Sequence, residues 1–125
     1  SRVLALSGAD IIFYPAGGMF YEMSETWRVF LRARSAENYV YTVVCQNLFG
    51  VESGIAAVAA PERLLAQRDT PGIVFADLDM DRLTYLRETP DELLHPKQYK
   101  TVPGLLGPWR RPDLYGRIVS PGPRS

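Results

Sequence analysis

Arg2-Val3-Leu4-Ala5-Leu6-Ser7-Gly8 runs straight into Ala9-Asp10-Ile11-Ile12-Phe13-Tyr14-Pro15. The first part predicts the last turns of a helix, with Gly8 in the position after the cap, where a glycine takes a left-handed backbone at little cost. Ser1 can cap only a very short helix. Asp10-Ile11-Ile12-Phe13-Tyr14 is a continuous apolar run rich in β-branched and aromatic residues, which predicts a buried strand closed by Pro15. Ala16-Gly17-Gly18 is then expected to be a flexible loop. A helix followed by an apolar strand predicts layered α/β packing.

The same order recurs downstream. Ser24 is a natural helix N-cap, and Glu25 in the first turn suits the helix dipole. Trp27, Phe30, Leu31, Arg34 and Asn38 follow at helical spacing, and the apolar part of that stripe is expected in the core. Val40 to Gln46 alternates Val40, Thr42 and Val44 on one face with Tyr41, Val43 and Cys45 on the other. Apolar on both faces, it predicts a strand inside a sheet. Asn47-Leu48-Phe49-Gly50 ends it.

Gly54-Ile55-Ala56-Ala57-Val58-Ala59-Ala60, the turn Pro61-Glu62-Arg63 and the return Leu64-Leu65-Ala66-Gln67 predict a hairpin. Its small side chains imply a close neighbour. Gly72 to Asp79 reads as a further strand, and Asp79 or Asp81 as the cap of a short helix through Arg82, Leu83, Leu86 and Arg87. From Thr89 on, Pro90, Pro96, Pro103, Pro108, Pro112, Pro121 and Pro123 break a stretch with little periodicity, and the last residues, 119–125, are expected to be a disordered tail.

Composition narrows the function. A chain of 125 residues is one domain at most and can bury about two thirds of its unfolded surface. Apolar residues make up 46% and charged residues 22%, a globular balance. Fourteen basic and fourteen acidic residues cancel, which argues against nucleic acid and against polybasic membrane attachment. No apolar stretch approaches the ~20 residues of a membrane helix. One cysteine and one histidine build neither a disulfide nor a Cys/His zinc site. The opening lacks an initiator Met and a signal-peptide pattern, which points to a chain truncated at the front.

Chemistry-bearing residues are few. Cys45 sits mid-strand, where a small buried hydrophobe is the expected role. His95 lies in a Pro-flanked loop with no acid at a telling spacing. Asp77-Leu78-Asp79-Met80-Asp81 with Glu88 imitates a calcium loop, but Arg82 occupies the position that needs glycine. Ala16-Gly17-Gly18 lacks the other glycines and the Lys of a phosphate loop. Arg34, Glu37 and Asn38 share a helix edge, and the apolar surroundings favour a buried polar network over an exposed ion pair.

Several of these segments together resemble the nitrilase, or carbon–nitrogen hydrolase, superfamily. Leu4-Ala5-Leu6-Ser7-Gly8-Ala9-Asp10-Ile11-Ile12 resembles the helix-to-strand passage that follows its nucleophile. Trp27 with Arg34-Ser35-Ala36-Glu37-Asn38 is similar to its Trp and Arg-Ala-x-Glu-Asn helix. Cys45-Gln46-Asn47-Leu48-Phe49-Gly50 matches its strand ending in Asn-x-x-Gly, and Gly54 to Ala66 its strand, Pro turn and return strand. Asp77-Leu78-Asp79 with Leu83 and Arg87, and Arg110-Arg111-Pro112-Asp113-Leu114-Tyr115 near the end, complete the series in order. The chain departs from the pattern at Ala56, where a Ser is common, and at Arg63, where a turn Gly is usual.

The resemblance implies an α/β fold that is part of an α-β-β-α sandwich: its C-terminal half with an extended tail, over residues 1–118. It implies hydrolysis of a non-peptide carbon–nitrogen bond in an amide, carbamoyl or nitrile substrate, with no cofactor and no metal, in a cytoplasmic homo-oligomer. The family's Glu, Lys and Cys would all lie ahead of Arg2, so no catalytic residue is expected in this chain, and Cys45 matches a structural strand position. Pro15, Ala16 and Gly17 resemble the family's substrate-lining loop. Phe13, Tyr14, Phe20 and Tyr21 are candidates for an apolar pocket wall or for core. The alternative reading is a non-catalytic, nitrilase-like interaction or dimerisation module, and a third is an independent thiol enzyme built on Cys45. Half a sandwich would leave an apolar sheet face uncovered, so the isolated chain is expected to dimerise or aggregate.

Overall fold

Helix gives way to strand at Gly8. The computed structural model describes residues 1–18, 22–49, 51–88 and 110–120. α1 (Arg2–Leu6) ends on Ser7, and Gly8 follows at φ 92°, a conformation that a Cβ would make costly. Then come β1 (Ile11–Gly17), α2 (Ser24–Asn38), β2 (Tyr41–Asn47), β3 (Ala56–Ala59), β4 (Leu64–Arg68) and α3 (Met80–Glu88). A 3-10 turn (Pro112–Tyr115) and α4 (Gly116–Val119) follow; Ser120 is the last described residue.

The strands form a sheet in the order β1-β2-β3-β4. β1 and β2 are parallel, which demands a crossover, and α2 supplies it. β3 and β4 add antiparallel as the expected hairpin, with a bulge at Val58/Ala59. Strand alternation sorts the side chains. Leu31 of α2 packs on Val44, Ile55, Ala57 and Ala59, while Ala5 of α1 packs with Ile12 and Val40. Both helices therefore cover one face. On the other, Leu83 of α3 meets Tyr41 and Ala60, with Ile11, Leu65 and Leu78 around them. α3 covers only that end of the face; further along, Phe13 is 67% exposed. An apolar sheet face is thus partly open, as expected.

The alanines of β3 let α2 come close enough for hydroxyls to lock the layers. Ser35 Oγ lies 2.7 Å from Thr42 Oγ1 and 3.1 Å from the Ala59 carbonyl, and Thr42 Oγ1 lies 3.2 Å from the Leu31 carbonyl. Two protons serve three contacts, so one is shared. Arg87 ties α3 to the layer edge. Its Nε donates to the Tyr39 carbonyl at 2.8 Å, its Nη2 to the Ala9 carbonyl at 2.9 Å, and its Nη1 to the Asp10 carboxylate.

Several expectations are corrected. β1 does not stop at Pro15 but runs through Ala16 and Gly17. It is an edge strand among the described residues, and an edge accommodates the missing N–H of proline. Nor is the strand buried on both faces, because α3 leaves Phe13 uncovered. Ala16 and Gly17 are strand and not loop, and Gly18 N donates to the Asn47 carbonyl at 2.9 Å. Ser24 is the first helical residue, with Met23 at the cap; the Glu22 carboxylate takes the Ser24 N–H. Residues 73–79 pair with no described strand, and Phe75 is 83% exposed; an apolar run without a ladder partner stays an extended connection. Asp79 does cap α3, its Oδ1 accepting Arg82 N at 2.8 Å. Gly50, His95, the prolines at 90, 96, 103, 108, 121 and 123, and the tail from 121 lie outside the described residues.

Candidate functional site

Parallel strands collect ligands at their C-terminal ends, where the backbone turns away and leaves a crevice. Here that end holds Pro15, Ala16 and Gly17 on β1 beside Cys45, Gln46 and Asn47 on β2, residue for residue in register. Gln46 straps the end together. Its Nε2 donates to the Gly17 carbonyl at 2.8 Å, and its Oε1 accepts Ile55 N at 2.7 Å. The Glu52 carboxylate accepts Phe49 N at 2.9 Å and so holds the turn after β2. Gly54 is packed under this strap, where a Cβ would stand 2.5 Å from Leu48 Cδ2 and 3.1 Å from Gln46 Oε1. Hydrogen bonding to Ser24 holds the Glu22 carboxyl below its ordinary value, as suits a carboxylate at a helix N-terminus.

Cys45 is exposed, which corrects the expectation of burial. An internal strand hides a small side chain only when both faces are covered, and α3 does not reach this end. The thiol opens on a cleft of about 240 Å³ that also holds Gln46, Gly54, Arg68 and Asp69. Both ends of the Gln46 amide are engaged, Arg68 Nε bonds Thr70 at 3.1 Å, and Asp69 lies 3.7 Å from Arg28 across the sheet edge. No hydrogen bond or ion pair engages the thiol among the described residues. A nucleophilic Cys needs a base within hydrogen-bond reach, and this cleft does not assemble one. No group of His, Cys, Asp and Glu among the described residues could hold a metal. No helix among them is long and apolar enough to cross a membrane.

The other candidates separate. Arg34 and Glu37 form an exposed ion pair, with side chains 52% and 44% accessible, so they do not build the buried network expected of them. Asn38 alone of the trio is buried, its Nδ2 donating to the Arg34 carbonyl at 2.8 Å. The buried network belongs instead to Ser35 and Thr42. Of the apolar part of the α2 stripe only Leu31 is fully buried. Trp27 and Phe30 meet edge to face at 6.3 Å and, with Tyr14 and Arg34, line a shallow cavity of about 240 Å³. Phe13 and Tyr14 point to opposite faces of β1 and form no common wall; Phe20 and Tyr21 lie outside the described residues. Sequence reasoning missed Gln46, Glu22 and Glu52. Only the polar side chains flanking a strand end and a helix start could have signalled them.

No family model matches the sequence. The deaminated glutathione amidase of Synechocystis is 30% identical over 101 residues, covering 75% of this chain and 37% of that protein. The human deaminated glutathione amidase is 29% identical over 128 residues, covering 97% of this chain and 35% of that protein. Among solved structures, an amidase from Nesterenkonia sp. AN1, captured after Michael addition of acrylamide at its active-site cysteine, superposes with a TM-score of 0.55. It is 26% identical, over 66% of this chain and 35% of that one. Sheet, helices and likenesses together define an α/β chain with a partial amidase fold. More narrowly, the chain is nitrilase-like, and the proteins it is similar to are amidases. It spans little more than a third of their length, 37% of the first.

Proposed function

We propose that this chain supplies scaffold and cleft rim to a thiol-dependent hydrolase of non-peptide carbon–nitrogen bonds, and that the nucleophilic cysteine of the whole protein lies ahead of Arg2. The observation that carries the reading is the unpartnered thiol of Cys45 in a cleft without an engaged base. In the whole protein a thiolate would attack the amide or carbamoyl carbon, the protonated nitrogen would leave as an amine or ammonia, and water would release the acyl group from sulfur. With a nitrile, the thioimidate would first take up one water to lose ammonia before a second water frees the acid. Pro15, Ala16 and Gly17 form one wall of the substrate crevice in this reading, at the open end of β1. The family of the amidase relatives supports an amide as substrate class, and a cytoplasmic, reducing setting keeps the exposed thiol free.

The test is direct. The 125-residue chain, incubated with amide, carbamoyl and nitrile substrates, is expected to release no ammonia, while acrylamide should alkylate the exposed Cys45 in the native state. Turnover that Cys45→Ala abolishes would overturn the reading in favour of an independent thiol enzyme. The partly open sheet face around Phe13 favours one second reading, a non-catalytic, self-associating nitrilase-like module. A longer reading frame with a Glu, a Lys and a Cys before Arg2 decides for the hydrolase, and their absence decides for the module.

A further inference from the structure

We draw no further inference here: the strongest candidate, the cavity of about 390 Å³ lined by Arg63 and Asp77 between the β3–β4 turn and the start of α3, carries nothing, because its Glu62–Arg82 ion pair is already made within the chain and nothing in the structure shows what would cover it.

Discussion

Replacing Arg87 by Met should unpin α3 from the sheet. The Arg87 side chain is 23% exposed and reaches Tyr39 and Ala9 carbonyls at 2.8 and 2.9 Å, as well as the Asp10 carboxylate. Methionine keeps the apolar stem and removes every donor. A hydrogen bond to a charged group is worth about 1.5–3 kcal/mol net. Water reaching a site this open recovers part of that, and the bond to half-exposed Asp10 adds less than about 1 kcal/mol. The expected loss is about 3 kcal/mol, a large share of a stability of about 5–15 kcal/mol. Urea unfolding followed by far-UV circular dichroism checks it. With a slope of about 1–3 kcal/mol per molar, the midpoint should fall by about 2 M at unchanged slope. Arg87→Lys keeps the charge but loses the fork, so it should fall roughly halfway. Asp10→Asn should cost less than about 1 kcal/mol. A midpoint for Arg87→Met within about 0.3 M of the parent would refute the clamp, as would an Arg87→Lys variant of parental stability.

Ser35→Ala should cost about 1–3 kcal/mol, because it leaves the buried Ala59 carbonyl and the Thr42 hydroxyl short of a partner. Combined with Thr42→Val it should cost less than the sum of the two, and strict additivity would show that the hydroxyls do not share a proton. The Glu62–Arg82 pair makes an acid-range prediction. Hydrogen bonding from Arg82 holds the Glu62 carboxyl below its ordinary 4.5. The folded-state value is the lower one, so the pair stabilises above pH 4.5 and that contribution is lost as pH falls through the folded value. Glu62→Gln should therefore cost up to about 1 kcal/mol near neutral pH and nothing in strong acid. An equal cost in both would contradict it.

Elements whose local pattern and packing agree were legible in the residues. The α1 stop at Gly8, the β3–β4 hairpin and the Asp79 cap on α3 rest on short-range chemistry, and the structure has them as read. The layered α/β class followed from apolar runs that alternate with helical stripes. The misses share a cause. Pro15 predicts a strand end, but its lost N–H matters only where a ladder partner waits on that side, and edge position is not written locally. Residues 73–79 have strand-like composition but no neighbour to pair with among the described residues. The network expected at Arg34 and Glu37 sits one residue along, at Ser35, because a helix rotates about 100° per residue and only contact with β3 shows which edge is down.

Local order was thus determined by the chain itself, in its turns, caps and apolar periods, and so was the likeness to the amidases it matches. The exposure of Cys45, the Gln46 strap across the strand ends and the reach of Arg87 to residues 48 and 77 positions away were decided only by the tertiary structure. The physical reason is that burial and partnership depend on what covers a face. α3 shields one end of the second sheet face and leaves the other open, and no periodicity within a single strand carries that information.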